Sequence, residues 1–270
     1  MQLDQQANTA DTGIVIEPSG QGIVQIRLNR PERLNALGVD MVDALGRAIA
    51  DAVSQRARVL IVRGTGRAFC AGADLKERRT MDEAARVRHN RAINAAVDAL
   101  GAAPMPTIAV INGLALGGGC ELALACDLRY AAEDVQIGLT EARIGAVPGA
   151  GGTQRMPRVL GASRALELIL TGEPITGKRA EEIGLVNAAL AVEKLDAHVA
   201  RIATVLASRS PTGAQTAKRL VHRGLEVTLA DGLVQEGLAL REILASSDYA
   251  EGLAAFAEKR QPRFGGGTAT

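Results

Sequence analysis

The chain of 270 residues predicts an α/β fold, on three observations. Short β-branched runs alternate with stretches of helical spacing through the first half. Glycine-bearing turns follow the ends of those runs, where open α/β sheets place their ligands. The last third carries helical spacing alone, with no repeat period, low-complexity tract or long linker to set it apart.

In chain order, residues 1 to about 12 are polar and read as a mobile segment. Ile14-Val-Ile16 and Ile23-Val-Gln-Ile-Arg-Leu28 flank the turn signal Ser19-Gly-Gln-Gly22, which predicts a hairpin. Met41, Val42, Leu45, Ile49 and Val53 recur at helical spacing, and Val59-Leu-Ile-Val62 reads as a buried strand. Thr80 with Glu83 offers a capping box for a helix through about Gly101, which Pro104 and Pro106 stop. Thr107-Ile-Ala-Val-Ile111 is apolar or β-branched throughout, as in a strand covered on both faces. Gly117-Gly118-Gly119 then permits a sharp turn, with a helix expected over Cys120–Cys126. A strand-like segment precedes Glu141, and Pro148-Gly-Ala-Gly-Gly-Thr-Gln-Arg155 opens onto a further helix. Helical spacing marks Ser163–Leu170, Lys178–Ile183, Val192–Ser208, Pro211–Gly224, Thr228–Ser246 and Asp248–Glu258. Gly265-Gly-Gly-Thr-Ala-Thr270 reads as a loose tail. Gly172-Glu-Pro-Ile-Thr-Gly-Lys178 has phosphate-loop glycine spacing, but Arg179 stands where Ser or Thr would bind magnesium and a helical pattern precedes it, so it reads as an inter-helix loop.

Composition narrows the function classes. Lys+Arg 31 against Asp+Glu 30 leaves a formal charge of +1, which gives no field to recruit nucleic acid. Aromatic residues at 2% supply few stacking platforms for bases. Cys70, Cys120 and Cys126 lack CxxC spacing and read as reduced core residues rather than metal ligands or nucleophiles. The N-terminus shows neither a basic region nor an apolar run, so no signal or transit peptide is expected, and the expected compartment is the cytoplasm. The longest apolar stretch, Ile108 to Ala125, is broken by Asn112, glycines and Glu121, which excludes it as a membrane span.

Two carboxylates carry the candidate chemistry. Glu121 falls in the first turn of the helix after the glycine triplet, where the dipole favours an anion, and Glu141 lies beside a second glycine turn. The same stretch also suits a buried helix whose glycines only allow close packing. Two carboxylates beside free amides instead suit acid/base work with oxyanion stabilisation. Arg63, Arg67, Lys76, Arg78, Arg79, Arg86, Arg88 and Arg91 crowd the segment after the buried strand, interleaved with acids. They suit either a solvated face or a site for a phosphorylated ligand.

Five stretches in order, Asn29–Leu37, Phe69–Lys76, Gly113–Leu122, Pro148–Arg155 and Phe256–Phe264, resemble the enoyl-CoA hydratase/isomerase (crotonase) family over about residues 13 to 264. The resemblance implies a crotonase-like spiral of ββα units over residues 13–195. It also implies a helical trimerisation region over 196–264, assembled as a homotrimer or a dimer of trimers. A coenzyme A thioester would be the substrate, with no separate cofactor and no metal. Carried over, the amides of Ala73 and Gly118 form the oxyanion hole, with Gly117 beside them. The segment from Ala71 through Asp74, Leu75 and Lys76 lines the coenzyme, and Glu121 and Glu141 are the catalytic pair of a hydratase. Ile137-Gly-Leu-Thr-Glu141 resembles the methylglutaconyl-CoA hydratase branch more than short-chain hydratases, which leaves the acyl group open. An isomerase and a non-catalytic acyl-CoA- or RNA-binding protein are the competing readings.

Overall fold

The computed structural model describes residues 12–265, so the expected mobile start and loose tail fall almost wholly outside the described residues. Twenty-one elements run in the order β1 (Ile14–Pro18), β2 (Ile23–Leu28), α1 (Val39–Ser54), β3 (Val59–Gly64), β4 (Ala68–Cys70), α2 (Leu75–Arg78), α3 (Glu83–Gly101), β5 (Thr107–Ile111), β6 (Leu114–Leu116), α4 (Gly118–Ala125), β7 (Leu128–Ala132), β8 (Gln136–Gly138), α5 (Gly152–Leu160), α6 (Ala162–Thr171), β9 (Ile175–Thr176), α7 (Gly177–Glu182), β10 (Ala188–Leu190), α8 (Val192–Ala207), α9 (Pro211–Gly224), α10 (Leu229–Leu244) and α11 (Ser247–Ala257).

Two sheets form, in the orders β1-β2-β3-β5-β7-β10 and β4-β6-β8-β9. The expected hairpin is present, with Ile14 opposite Leu28, and from β2 onward the first sheet is parallel. Each of β3/β4, β5/β6 and β7/β8 gives one strand to each sheet before the chain leaves through a helix or turn, so successive units advance in the same order through both sheets. That advance is the ββα spiral of a crotonase-like fold.

The uninterrupted apolar runs are explained by two cores. In β3, Leu60 and Val62 face the main core, while Val59 and Ile61 face a second one; in β5, Ala109 and Ile111 oppose Ile108 and Val110 in the same way. Helix α8 covers the second face with Leu195, Val199, Ala203 and Ala207. The expected domain boundary at residue 195 therefore cuts through a helix that belongs with the sheet.

Three local expectations are corrected. Helix α3 is capped by Asp82, whose Oδ1 accepts the Ala85 amide at 2.7 Å, while the Thr80 hydroxyl donates to Glu77 O at 2.8 Å. The box at Thr80 and Glu83 lost to a stronger ionic cap nearer the helix. Helix α4 starts within the glycine triplet, at Gly118. A Cβ on Gly119 would lie 2.0 Å from Cys70 O, so only glycine lets this turn pack on β4. The segment 172–178 holds the two-residue strand β9, and Thr176 Oγ1 caps α7 by accepting the Arg179 amide at 3.1 Å.

Candidate active site

Strand ends and glycine turns build one cleft. It spans about 660 Å3 with the open solvent at its mouth counted in, and its walls include Ala71, Ala73, Gly118, Glu121, Glu141 and Arg78. Gly117 turns the chain from β6 into α4 at φ +51, and its N–H donates to Gly138 O at 2.9 Å. Among the described residues neither the Ala73 nor the Gly118 amide is bonded to a protein acceptor. A Cβ on Gly118 would lie 3.6 Å from Ala73 N, and one on Gly72 would lie 3.0 Å from Gly118 N. The two free donors thus flank one gap that any bulk on Gly72 would close, the arrangement an oxyanion requires.

Glu121 is 2% exposed, and its Oε1 accepts two amides, Ala150 at 2.7 Å and Gly152 at 2.8 Å. Burial pushes its carboxyl up, while those amides, Arg155 and Arg78 favour the ion. Glu141 opens a single 3-10 turn (Glu141–Ile144), and its buried Oε2 has no hydrogen-bond partner among the described residues. Burial first, and then the Glu121 charge, push its carboxyl up to about 7, opposed by its own amide and by Arg78. Of the two, Glu141 is the better proton holder at neutral pH.

The first glycine loop is only partly in this cleft. Ala71, Ala73 and Leu75 line it, and Gly117 and Gly118 face them. Asp74, however, is buried and caps α2, accepting the Lys76 and Glu77 amides at 3.1 and 3.2 Å, 3.8 Å from Arg30. Exposed Lys76 lines a separate hollow with Arg30 and Arg33. Both side chains thus lie outside the cleft that holds the glutamates: Asp74 is taken up as the cap of α2, and Lys76 follows Leu75 around the helix axis.

Sequence reasoning named Arg78 only as one of a crowd of basic residues and gave no role to His89 or Asn90. Arg78 donates to His89 Nδ1 at 3.2 Å and to Asn90 Oδ1 at 3.2 Å. The available signal was register: His89 shares a helical stripe with buried Ile93, Ala96, Val97 and Leu100. A polar residue on an apolar stripe calls for a partner.

The three cysteines are free and buried; burial raises Cys70 and Cys126 to about 12 and Cys120 further, so none is a thiolate nucleophile at neutral pH. Among the described residues no three His, Cys, Asp or Glu side chains gather as metal ligands would, and no helix is long and apolar enough to cross a membrane.

A two-sheet ββα spiral whose amides and carboxylates meet in one cleft is the architecture of crotonase-like α/β enzymes. The sequence profile of the enoyl-CoA hydratase/isomerase family matches residues 19–267. The enoyl-CoA hydratase domain-containing protein 2 of Bos taurus, a mitochondrial protein, is 46% identical over 252 residues, covering 91% of this chain and 85% of that protein. The human mitochondrial methylglutaconyl-CoA hydratase is 39% identical over 258 residues, covering 93% and 76%. The crystal structure of an enoyl-CoA hydratase from Bacillus anthracis superposes with a TM-score of 0.92 at 41% identity, covering 94% of this chain and all of that one. The chain belongs to the enoyl-CoA hydratase/isomerase family.

Proposed function

We propose that this chain adds water across the 2,3 double bond of a 2-enoyl-CoA, giving a 3-hydroxyacyl-CoA. The observation that carries this reading is the meeting of Glu121 and Glu141 in one cleft with the unbonded amides of Ala73 and Gly118. The amides take the thioester oxygen and draw electron density from the conjugated bond, which leaves C3 electrophilic. Glu121, fixed by two N–H donors at Oε1, orients a water and takes its proton as the hydroxyl bonds to C3. The π electrons of the double bond pass into an enolate held by the two amides. Glu141, raised to about 7, gives its proton to C2, and exchange with solvent resets both groups.

Coenzyme A is part of this substrate, and the reaction needs no metal or redox group. Ala71, Ala73 and Leu75 would carry the pantetheine, with Lys76, Arg30 and Arg33 at the phosphates. Exposed Leu229, Leu233, Val234 and Leu238 on α10 support a homotrimer, or a dimer of trimers, closed through the C-terminal helices. The free, buried cysteines support a reducing compartment such as the cytoplasm. Arg78 in the cleft wall, together with the human methylglutaconyl-CoA relative, supports testing carboxylated acyl groups.

The test is loss of the conjugated-thioester absorbance over straight-chain, branched and carboxylated enoyl-CoAs in oxygen-18 water. Hydration predicts one labelled oxygen in the product. Double-bond migration without label would make the chain an isomerase, and no turnover across the panel would leave it a binding protein.

A further inference from the structure

His89 is 3% exposed and both ring nitrogens are engaged. Arg78 Nε can only donate, so Nδ1, 3.2 Å away, is the bare acceptor. Nε2 therefore carries the hydrogen and donates to Leu37 O at 3.0 Å. That carbonyl also accepts the Asp74 amide at 3.1 Å, and the Leu37 amide donates to Gly72 O at 2.7 Å, so Leu37 brackets Ala73 from both sides. In the other direction Arg78 Nη2 donates to Asn90 Oδ1, and Asn90 Nδ2 donates to Gly149 O at 3.1 Å. Asn94 donates to the same carbonyl. Gly149 precedes Ala150, whose amide holds Glu121.

We propose that His89 is a positioning residue: as a neutral imidazole it ties the Ala73 segment and the Arg78 guanidinium into one hydrogen-bonded chain that ends on Glu121. The oxyanion donors and the charge balance of the glutamate pair are thereby set together. This rests on the hydratase reading only for its kinetic consequence. The charged groups around the chain are Asp74, Glu77 and Arg78 on the α2 side, Arg30 against Asp74, Arg86 on α3 donating to Arg78 O, Glu121 on α4, Glu141, and Arg155 on α5. Burial and Arg78 hold the imidazole below its ordinary value, against Glu77, the Leu37 carbonyl and Asp74, which favours the neutral form that both contacts require. Arg78 in turn favours the ionised forms of both glutamates. A protonated His89 would face the Arg78 N–H with a second donor and break the chain.

Two amide substitutions divide the roles. His89→Asn places an acceptor near the Nδ1 position and gives up the Leu37 link; His89→Gln places a donor near Nε2 and gives up the Arg78 link. Carbon-13 NMR titration of the labelled glutamate carboxyls, without substrate, reads the pair directly. The Gln variant is expected to raise the pair's apparent pKa by about half to one pH unit and to move both limbs of the kcat/KM profile for but-2-enoyl-CoA to higher pH. The Asn variant is expected to keep the wild-type titration and limbs while kcat falls about tenfold. An unchanged titration in the Gln variant overturns the proposal, as does an equal displacement in both variants. If the Gln variant does not fold, Arg78→Met must raise the pair at least as far, and an unchanged titration there overturns it equally. A wild type that never hydrates but-2-enoyl-CoA defeats the hydratase reading, while the NMR titration still decides the role of His89.

Discussion

Replacing Glu141 by Gln separates the stability of the site from its chemistry. Its carboxyl rises from the usual 4.5 to about 7 on folding, burial being the leading cause. Because the folded state holds its proton more tightly than the unfolded chain, this group's contribution to stability is greatest below about pH 4.5. It falls as the pH climbs through about 7. At 1.36 kcal/mol per pH unit the full gap is about 3 kcal/mol. The carboxyl is only half-buried, so solvent screening reduces this to about 1–2 kcal/mol. Oε2 has no partner to lose, and the uncharged amide removes that penalty. Glu141→Gln should therefore melt about 2–6 °C above wild type at pH 8 and level with it at pH 4.5. Hydration should fall at least about 100-fold in the same variant. Thermal melts at fixed protein concentration and both pH values, alongside initial rates, check this. An equal melting difference at the two pH values, or a less stable variant at pH 8, would refute the electrostatic argument.

Further outcomes follow from the same geometry. Glu121→Gln can keep both amide bonds at Oε1, so thioester binding should survive while kcat drops at least about 100-fold. The Glu121/Glu141 double variant should lose less than the sum of the single losses, whereas an isomerase would leave one single substitution nearly silent in steady-state rates. Gly118→Pro sits at the first position of α4, where helices tolerate proline, and removes the proposed oxyanion donor. A loss of about 3–4 kcal/mol of transition-state stabilisation is expected, and a folded variant by circular dichroism with near-normal kcat would disprove the assignment. Lys76→Ala should raise KM for the thioester more than it lowers kcat, with the effect fading as salt is added; an unchanged KM at low salt would return Lys76 to a solvated face.

The parts of the fold written in side-chain periodicity were legible. β3 and β5 are apolar on every position facing either core, and α1 carries its buried residues at helical spacing. Glu121 and Glu141 were legible because glycine turns flank them, and the structure places both in one cleft. Strands β4, β6 and β8 are three residues each, too short to show a period. Their existence depends on partners far away in sequence. Asp74 was placed at the coenzyme by the resemblance alone; locally, a short carboxylate just before a helix is an N-cap, and its Oδ1 is engaged there. Arg78 was hidden by its neighbours. In a run crowded with basic residues, only the crossing of α2 and α3 decides which cation turns inward, and no local pattern encodes that crossing.

The second core has an order of arrival. Its sheet face is assembled from Ile23, Val59, Ile61, Ile108, Val110 and Tyr130, but the residues of α8 that cover it begin at Leu195. At roughly 5–20 residues per second, a ribosome makes β2 on the order of ten to thirty seconds before it makes α8. For that interval a growing chain carries a wide apolar sheet with nothing of its own to lay across it. A chain truncated before Val192 would be left permanently in that condition. Chaperone capture during translation, and aggregation of such truncated products, are the cellular costs of placing the covering helix so late.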